Sequence, residues 1–326
     1  MIFVTGASGL IGSFICRKLL NEGYSVKALR RPSTDLSMLK DIKDKIHWVK
    51  GDLLNVSEVE NYLAGVDKVI HSAGYISYDK RDEEKIYQTN VEGTANLVNA
   101  ALSQKVQLFL HLSSVASIGK DKDVKLSTED TRWVEEENIS TYAKSKHQSE
   151  LEVWRGWAEG LNTIIINPSL VLGPGDWEKS STQVFKYVYD ENRFYTSGIV
   201  NYVDVRDVAE VTVRLLNRSF GGERFIVSAG SISYKELFEA IATAMDKSPP
   251  SVKVNAYMIR LTITFEKIRS RLLGTQPLVT DELGQVSKNQ HVYANDKVKK
   301  AVDIDFRELE ETLRWTCREL INGKRA

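Results

Sequence analysis

The chain has 326 residues, 42% of them hydrophobic, and its 44 basic residues balance 44 acidic ones to a formal net charge of zero. This length allows a large sheet domain plus a smaller one, and the balanced, interspersed charge argues against a nucleic-acid partner. Cys16 and Cys317 are too few for a disulfide scaffold and lack C-x-x-C spacing, so both are predicted to be reduced and structural, in helices of different domains.

The first predicted strand begins at Ile2, which leaves no room for a signal peptide. No uninterrupted apolar stretch approaches the roughly 20 residues of a membrane span. The sequence therefore predicts a cytoplasmic protein.

A glycine-rich stretch, I-F-V-T-G-A-S-G-L-I-G, runs from Ile2 to Gly12. An apolar run flowing into three glycines and then an amphipathic pattern predicts a strand, a phosphate-binding turn and a helix; an ordinary glycine turn is the alternative. The N–H groups at such a helix start face phosphates. The candidate cofactor-binding residues here are Gly6, Ser8, Gly9, Leu10, Ile11 and Gly12.

A second strand is predicted over Tyr24–Leu29, and Arg30 and Arg31 follow it. In a dinucleotide fold, a carboxylate at this strand end accepts from the free 2′-OH of NAD, whereas arginine accommodates the 2′-phosphate of NADP. Both arginines are therefore candidate contacts, and NADP is predicted rather than NAD. A solvated arginine pair, with Asp35 as a displaced acid, is the alternative.

A third strand, Ile46–Lys50, runs into Gly51, Asp52 and Leu53 before a short helix over Val56–Leu63. A carboxylate at a strand's carboxyl end lies on the ligand edge of a parallel sheet. Asp52 and Leu53 are therefore candidate cofactor contacts, with Asp52 accepting from the adenine amino group. An N-cap role for Asp52 competes with this interpretation.

The fourth strand, Val66–His71, ends in the small residues Ser72, Ala73 and Gly74, which allow backbone near a cofactor and are candidate contacts. His71 is interpreted as a hydrogen-bonded structural residue. No metal is predicted, since none of the five histidines has a second histidine or an acid at ligand spacing.

A long helix is predicted over Glu83–Ser103, and Asn90 in its middle suggests a buried amide with a specific role. The fifth strand, Leu108–Leu112, places Ser114 on the ligand edge. Residues 119–140 are charged and aperiodic, and they predict a surface loop that could close over a substrate.

Tyr142 and Lys146 open a helix that runs to about Glu159. Residues i and i+4 share a helix face, so the phenol and the ammonium point to the same side, and we expect the cation to lower the tyrosine pKa. Ser114 could donate to the same substrate carbonyl. Without further support, a solvated helix pair would be the simpler explanation.

Six motifs follow one another along the chain: T-G-A-S-G-L-I-G at 5–12, G-D-L at 51–53, N-V-E-G-T at 90–94, S-S-V at 113–115, Y-A-K-S-K at 142–146 and N-P-S-L-V-L-G-P-G at 167–175. Together they resemble the extended short-chain dehydrogenase/reductase family over nearly the whole chain. The nearest likeness is to its dihydroflavonol-reductase-like branch, although Gly74 departs from that branch's usual H-x-A-A.

The resemblance implies Tyr142 as general acid/base and Lys146 as its pKa-lowering partner and ligand of the nicotinamide ribose. It implies Ser114 as the carbonyl-polarising hydroxyl and Asn90 as a supporting amide. Pro168 and Ser169 would lie beside the nicotinamide. Sugar-nucleotide epimerases usually carry an acid at position 30, and 4,6-dehydratases usually carry Thr-Asp-Glu at 114–116, so both classes are disfavoured.

The predicted fold is α/β, a Rossmann-type doubly wound parallel sheet with a smaller mixed α/β C-terminal substrate domain. Residues 1–175 and 199–228 are assigned to the dinucleotide domain, with Tyr202–Leu216 returning to the sheet. Residues 176–198 and 229–326 are assigned to the substrate domain. Its basic amphipathic helix, about Ala256–Leu273, is expected to pack rather than to bind a membrane.

The leading function hypothesis is an NADP-dependent oxidoreductase that passes hydride between the nicotinamide and a small-molecule carbonyl or secondary alcohol. A sugar-nucleotide epimerase or dehydratase and a non-catalytic dinucleotide-sensing protein are the alternatives. A homodimer is expected through the helices containing Asn90 and Tyr142, because Trp154 and Trp157 need an apolar partner. The substrate itself carries no readable motif.

Overall fold

The structure is a computed structural model that describes residues 1–119, 126–135, 139–218, 220–254 and 291–325. The predicted helix at 256–273 and parts of the predicted loop at 119–140 lie outside these residues. The strands are β1 (Ile2–Thr5), β2 (Val26–Arg30), β3 (His47–Lys50), β4 (Lys68–His71), β5 (Leu108–Leu112), β6 (Leu126–Ser127), β7 (Thr163–Pro168), β8 (Leu170–Leu172), β9 (Phe194–Tyr195), β10 (Ile199–Asp204), β11 (Glu223–Val227), β12 (Gly230–Ser233), β13 (Val252–Lys253) and β14 (Val292–Tyr293).

The helices predicted over Val56–Leu63 and from Tyr142 to about Glu159 are present, with boundaries shifted by one residue. A π-helical turn, Gln88–Glu92, interrupts the long helix predicted over 83–103. The α-helices are α1 (Leu10–Asn21), α2 (Val56–Tyr62), α3 (Glu83–Tyr87), α4 (Gly93–Ser103), α5 (Thr141–Ala158), α6 (Gln183–Tyr189), α7 (Val205–Leu215), α8 (Tyr234–Met245), α9 (Asp296–Val302) and α10 (Leu309–Arg325).

The main sheet has seven parallel strands in the order β11-β7-β5-β4-β1-β2-β3. Its central strands β1, β5 and β7 are buried along their whole length, as expected for strands covered on both faces. The strand order reverses between β1 and β4. This confirms the predicted doubly wound Rossmann-type fold and places its ligand crevice at the carboxyl ends of these two strands.

Apolar cores fill both faces of the main sheet. On one face α1, α7 and α9 pack through residues such as Ile15, Val208 and Val298. On the other face α2, α4 and α5 pack around Phe3 and Phe109, two fully buried rings. Helices on both faces are what excludes water from the central strands.

A third apolar core is built by α6, α8 and α10, around Phe185, Ile241 and Cys317. Cys317 is buried and free, and so is Cys16 in α1, as the sequence predicts. Burial raises the pKa of each thiol to about 12, which keeps both protonated and unreactive.

One topological prediction is wrong in part. The strand within Tyr202–Leu216 does not join the main sheet, because β10 pairs with β8 and β12 in a separate three-stranded sheet. The chain leaves the main sheet after Pro168, and β11 occupies the position beside β7. Only the helical part, α7, returns to pack against α1.

Candidate active site

The glycine turn between β1 and α1 is too tight for side chains at two positions. A Cβ on Gly6, which has a φ of +68°, would lie 2.5 Å from the Ser72 carbonyl carbon, and one on Gly12 would lie 2.1 Å from the Gly6 carbonyl oxygen. Gly9 is the N-cap of α1 and has no side chain to cap the first N–H groups. The turn therefore offers backbone N–H groups to an anion at the sheet's ligand edge.

The end of β4 forms the opposite wall of this turn. Ser72 donates its N–H to the Thr5 carbonyl at 3.2 Å, and Ala73 donates its N–H to Thr5 Oγ1 at 3.2 Å. Thr5 Oγ1 in turn lies 2.7 Å from His71 Nδ1. The predicted contacts Ser72 and Ala73 are thus held next to the glycine turn, and Gly74 lies exposed beyond them.

His71 is fully buried and bridges two elements. Its Nδ1 faces Thr5, and its Nε2 lies 2.9 Å from Thr94 Oγ1, whose hydroxyl donates to the Asn90 carbonyl at 2.6 Å. Burial, aided by Lys146, lowers the His71 pKa to about 3, so the ring is neutral. Its structural interpretation is confirmed, and the chain of bonds links the glycine turn to the Asn90 carbonyl.

The ends of β2 and β3 form the third part of the crevice. Arg30 is half-buried, and its Nε atom has no hydrogen-bond partner among the described residues. Its guanidinium carbon lies 6.0 Å from the centre of the Trp48 ring, whereas Arg31 is exposed. Asp35 is engaged in its own turn, since it accepts from the N–H and the hydroxyl of Ser37.

Asp52 follows β3 and stabilises the turn after it by accepting from the Leu54 N–H at 3.0 Å. The N-cap of α2 is Asn55, so Asp52 is not that helix cap. Leu53 is buried, and its carbonyl accepts from Asn96 Nδ2 at 2.9 Å, which ties this turn to α4. The buried, unpartnered Arg30 Nε and the glycine cradle together fit a dinucleotide along this edge.

The four predicted catalytic side chains converge beyond the glycine turn. Ser114 lies two residues after β5; its side chain accepts from the Ala116 N–H and is close enough to Tyr142 on α5 to influence the pKa of that phenol. Lys146 is buried and donates from Nζ to the Leu112 carbonyl at 2.9 Å. Asn90 Nδ2 donates to Ser145 Oγ at 2.9 Å, which joins it to the same helix.

The π-helical turn gives Asn90 its position. A π turn inserts an extra residue into a helix and occurs most often at functional sites. Here the Asn90 side chain is buried, accepts from the Tyr75 N–H at 2.7 Å and donates to the Tyr75 carbonyl at 3.0 Å. The expected buried amide therefore fixes the start of the segment after β4.

The expectation that Lys146 lowers the Tyr142 pKa is wrong for this structure. Burial and the neighbouring Tyr78 raise the Tyr142 pKa above its ordinary value, against a smaller lowering by the Ser114 hydrogen bond. The Tyr78 and Tyr142 rings meet edge to face at 6.4 Å. Loss of hydration outweighs the contribution of Ser114, and Lys146 is not among the causes of the shift, so the phenol is protonated at neutral pH.

Lys146 carries the complementary shift. Burial lowers its pKa to about 8, and Glu150, one helical turn further along α5, opposes this change. Lys146 is therefore charged near neutral pH and loses its proton around pH 8.

The model of the NAD dependent epimerase/dehydratase family matches residues 2–228. The chain belongs to this family. It is 28% identical over 320 residues to a Synechocystis protein provisionally named dihydroflavonol 4-reductase, covering 95% of this chain and 92% of that one. It is 26% identical over 268 residues to cinnamoyl-CoA reductase 1 of Petunia hybrida, covering 78% of this chain and 80% of that one.

Among solved structures, the chain superposes on the crystal structure of gox2253 with a TM-score of 0.85 and 29% identity, covering 100% and 99% of the two chains. Membership of this family supports an oxidoreductase or a related enzyme that uses a nicotinamide dinucleotide. Within the described residues, no helix is long and apolar enough to cross a membrane.

A buried polar group that the sequence did not predict lies beside the turn at Pro168. Pro168 ends β7, and Ser169 is buried next to it. Asn167, which precedes them, is fully buried and donates to Glu150 Oε1 at 2.5 Å. The i+4 spacing from Lys146 to Glu150 was a signal that could have identified this acid.

The described part of the predicted loop does not stand away from the site. β6 pairs with β14, and a Cβ on Gly119 would lie 1.7 Å from the Arg132 carbonyl oxygen, so this segment passes close to the Ser114 turn. Trp133 stacks on His147 of α5 with ring centres 4.3 Å apart. This segment is therefore anchored to α5 through Trp133.

The neutral His71 predicts an acid-sensitive fold. Its folded pKa of about 3 lies below the unfolded value of about 6.5, so below pH 6.5 the unfolded chain binds the extra proton and stability falls, until about pH 3. The free energy of unfolding should decrease by about 1.4 kcal/mol per pH unit from this residue. His71→Gln should make the measured slope shallower by about that amount between pH 6 and 4.

Urea unfolding monitored by circular dichroism measures this slope. His47→Gln, at an exposed histidine, is the matched control and should leave the slope unchanged. An unchanged slope in His71→Gln would contradict the neutral assignment.

Proposed function

We propose that this protein is an NADPH-dependent reductase of a ketone or aldehyde, able in reverse to oxidise a secondary alcohol, with Ser114, Tyr142 and Lys146 as its catalytic residues. The observation that carries the proposal is the bond from Lys146 of α5 to the Leu112 carbonyl at the carboxyl end of β5, which holds Tyr142, one helical turn earlier on α5, at the ligand edge of the sheet near the Ser114 turn. A reduction needs a proton at the carbonyl oxygen, and a phenol with a raised pKa holds that proton at neutral pH.

The residues divide the work as follows. The nicotinamide, when bound, supplies or accepts the hydride. Ser114 and Tyr142 present two hydroxyls to one substrate oxygen, which stabilises negative charge developing there. Tyr142 then gives its proton to that oxygen. At neutral pH, where Lys146 is still charged, we assign its ammonium the role of stabilising the phenolate formed during turnover, although it does not lower the Tyr142 pKa of the cofactor-free protein.

Asn90 acts by position rather than by proton transfer. Its amide fixes Tyr75 on one side and Ser145 on the other, so it sets the distance between the segment after β4 and helix α5. We assign the nicotinamide side of the crevice to Pro168 and Ser169. The Ser169 hydroxyl is buried and lacks a hydrogen-bond partner among the described residues, which suits a polar contact with a ligand.

We further propose that residues 1–175 and 199–228 form the dinucleotide domain, and that 176–198 and 229–326 form the substrate domain. The separate apolar core of α6, α8 and α10 supports this division. The substrate is expected to bind between them, near the Tyr78, Tyr142 and Tyr234 phenols.

The family name also covers epimerases and dehydratases, in which hydride returns to the same substrate. Net consumption of NADPH with a carbonyl compound separates the reductase from that alternative. A dinucleotide-sensing protein without catalysis would bind the cofactor and turn over none of the compounds screened. The presence of Ser114, Tyr142 and Lys146 together argues against this sensor hypothesis, because binding a dinucleotide without catalysis does not require them.

Arg30→Asp should exchange the cofactor preference. We expect the half-buried guanidinium to pair with a 2′-phosphate. Loss of a charge-assisted bond costs about 1.5–3 kcal/mol, so NADPH affinity should fall about 10- to 150-fold while NADH affinity holds or improves. Fluorescence titration of both cofactors measures this. Lys45→Asp, the same charge change at an exposed site, is the control, and tighter wild-type binding of NADH than of NADPH would refute the preference.

Tyr142→Phe should retain the fold and cofactor affinity but lower kcat by about 10² to 10⁴-fold, because the ring still packs while its proton is lost. Lys146→Met should weaken both turnover and cofactor binding, since the ammonium serves both. Stopped-flow NADPH absorbance with a carbonyl-compound panel supplies the rates. Tyr87→Phe, at an exposed tyrosine, is the control; near-normal turnover by folded Tyr142→Phe would exclude the mechanism.

The homodimer through α4 and α5 remains a prediction, but its basis changes. Trp154 packs into the core beside the main sheet, and Trp157, 44% exposed, lies against Gly222, so the two rings do not form one exposed cluster. Leu151 of α5 is 52% exposed and offers the apolar contact instead.

Leu151→Lys should therefore convert a dimer to a monomer in sedimentation velocity at micromolar concentration, because it places a charge in the contact. Val252→Lys, at another exposed apolar residue, should leave the sedimentation coefficient unchanged. A monomeric wild-type protein would contradict the prediction.

A further inference from the structure

A buried carboxylate joins two turns of the candidate active site. Asn167 Nδ2 donates to Glu150 Oε1 at 2.5 Å, to Ser117 Oγ at 2.9 Å and to the Ser114 carbonyl at 3.0 Å. Ser117 donates to the same Glu150 oxygen and also to the Ser114 carbonyl, at 2.6 Å. Glu150 thereby connects the turn that presents Ser114 to the residue that precedes the Pro168 turn.

The second oxygen of this carboxylate meets a cation from the edge strand. Arg224 of β11 approaches Glu150 Oε2 with Nη1 at 3.3 Å, and the two side chains are 19% and 1% exposed. Arg224 Nε also donates to the Glu129 carbonyl at 2.8 Å, and Glu129 Oε1 accepts from the Ile226 N–H at 2.9 Å. The guanidinium is thus fixed from two sides.

Glu150 also lies one helical turn from Lys146, on the same face of α5. Three titratable side chains interact electrostatically with the Lys146 ammonium. Glu150 of α5 raises the Lys146 pKa, and Lys146 in turn lowers the pKa of His71 on β4 and of His111 on β5. Burial lowers the pKa of both histidines far enough to keep them neutral. Of these three groups, Glu150 alone carries a charge, and it is opposite in sign to Lys146.

A buried ion pair is weak evidence for stability, because desolvation of two charges offsets their attraction and apolar residues of similar size often serve as well. The position of this pair, between Lys146, the Ser114 turn and the Pro168 turn, indicates a second role.

We propose that Glu150 is a positioning residue of the catalytic group, which fixes Asn167 against the Ser114 turn and holds a negative charge beside Lys146. The role in catalysis rests on the proposed reductase function. The effect on Lys146 is independent of the substrate and can be measured without cofactor. Glu150 itself does not contact the reacting atoms; it acts through Lys146 and Asn167.

The first test measures unfolding of the cofactor-free protein as a function of pH. Above pH 8 the folded chain has lost the Lys146 proton that the unfolded chain keeps to about pH 10.4, so stability contributed by this residue rises with pH. In Glu150→Gln the opposing carboxylate charge is gone, and the onset of this rise should move down by about one pH unit or more.

Two further variants make the test specific. Glu152→Gln removes a carboxylate from the same helix, where it pairs with Arg155 near the surface, and should not move the onset. In a Lys146→Met background, Glu150→Gln should cause no shift, because the group that titrates is absent. An unmoved onset in Glu150→Gln, or a shift that survives in Lys146→Met, would overturn the proposal.

The second test uses the holoenzyme. NADPH affinity, measured by fluorescence titration, should decline at alkaline pH as Lys146 loses its proton. In Glu150→Gln this decline should move to lower pH. In Glu150→Asp, which keeps the charge on a shorter side chain, it should stay near the wild-type position. A lower kcat in Glu150→Asp, with the pH dependence of NADPH affinity unchanged, would support the positioning role. Equal shifts of that pH dependence in both variants would refute the role of the Glu150 charge. If the wild-type protein reduces no carbonyl compound, the reductase proposal fails. The pH-dependent unfolding and the NADPH titration would still decide the role of Glu150.

Discussion

The site depends on how closely the ends of β1 and β4 approach each other at the point where the strand order reverses. The Thr5 and His71 backbones pair there, and the next residue on β4's side, Ser72, lies so near Gly6 that a Cβ could not fit. That contact leaves no room for side chains and exposes backbone N–H groups in their place. It also fixes His71, and through Thr94 it sets the position of the Asn90 carbonyl.

Electrostatics at the other end of the crevice follow from burial. Tyr142 and Lys146 are both withdrawn from water, and in each case burial favours the neutral form: it raises the phenol pKa and lowers the ammonium pKa. The two shifts give the groups different states at neutral pH: Tyr142 is a protonated phenol, and Lys146 is a cation whose pKa is about 8. Ser114 on one side and Glu150 on the other each oppose these shifts.

The sequence predicted the glycine turn and the parallel strands because each has a local signature, a fixed glycine spacing or a continuous apolar run. The i, i+4 pair of Tyr142 and Lys146 is a signature of the same kind, and the structure places it on one helix, α5. The sequence could not predict that β10 would pair with β8, because neighbouring apolar strands compete for the same edge and the winner depends on β11. It also assigned the wrong direction to the Tyr142 pKa. Residue spacing reveals a nearby cation, whereas hydration depends on residues distant in the chain, such as Tyr78.

The Glu150 network has a consequence for the order in which the chain becomes competent during synthesis. The glycine turn, Asn90, Ser114, Tyr142 and Lys146 all leave the ribosome before Arg224 does. Until β11 takes its place beside β7, Glu150 lacks its cation and Asn167 lies at an open sheet edge. The glycine turn is therefore encoded early, whereas the edge that holds Glu150 and Asn167 is completed by the last strand of the main sheet to be made.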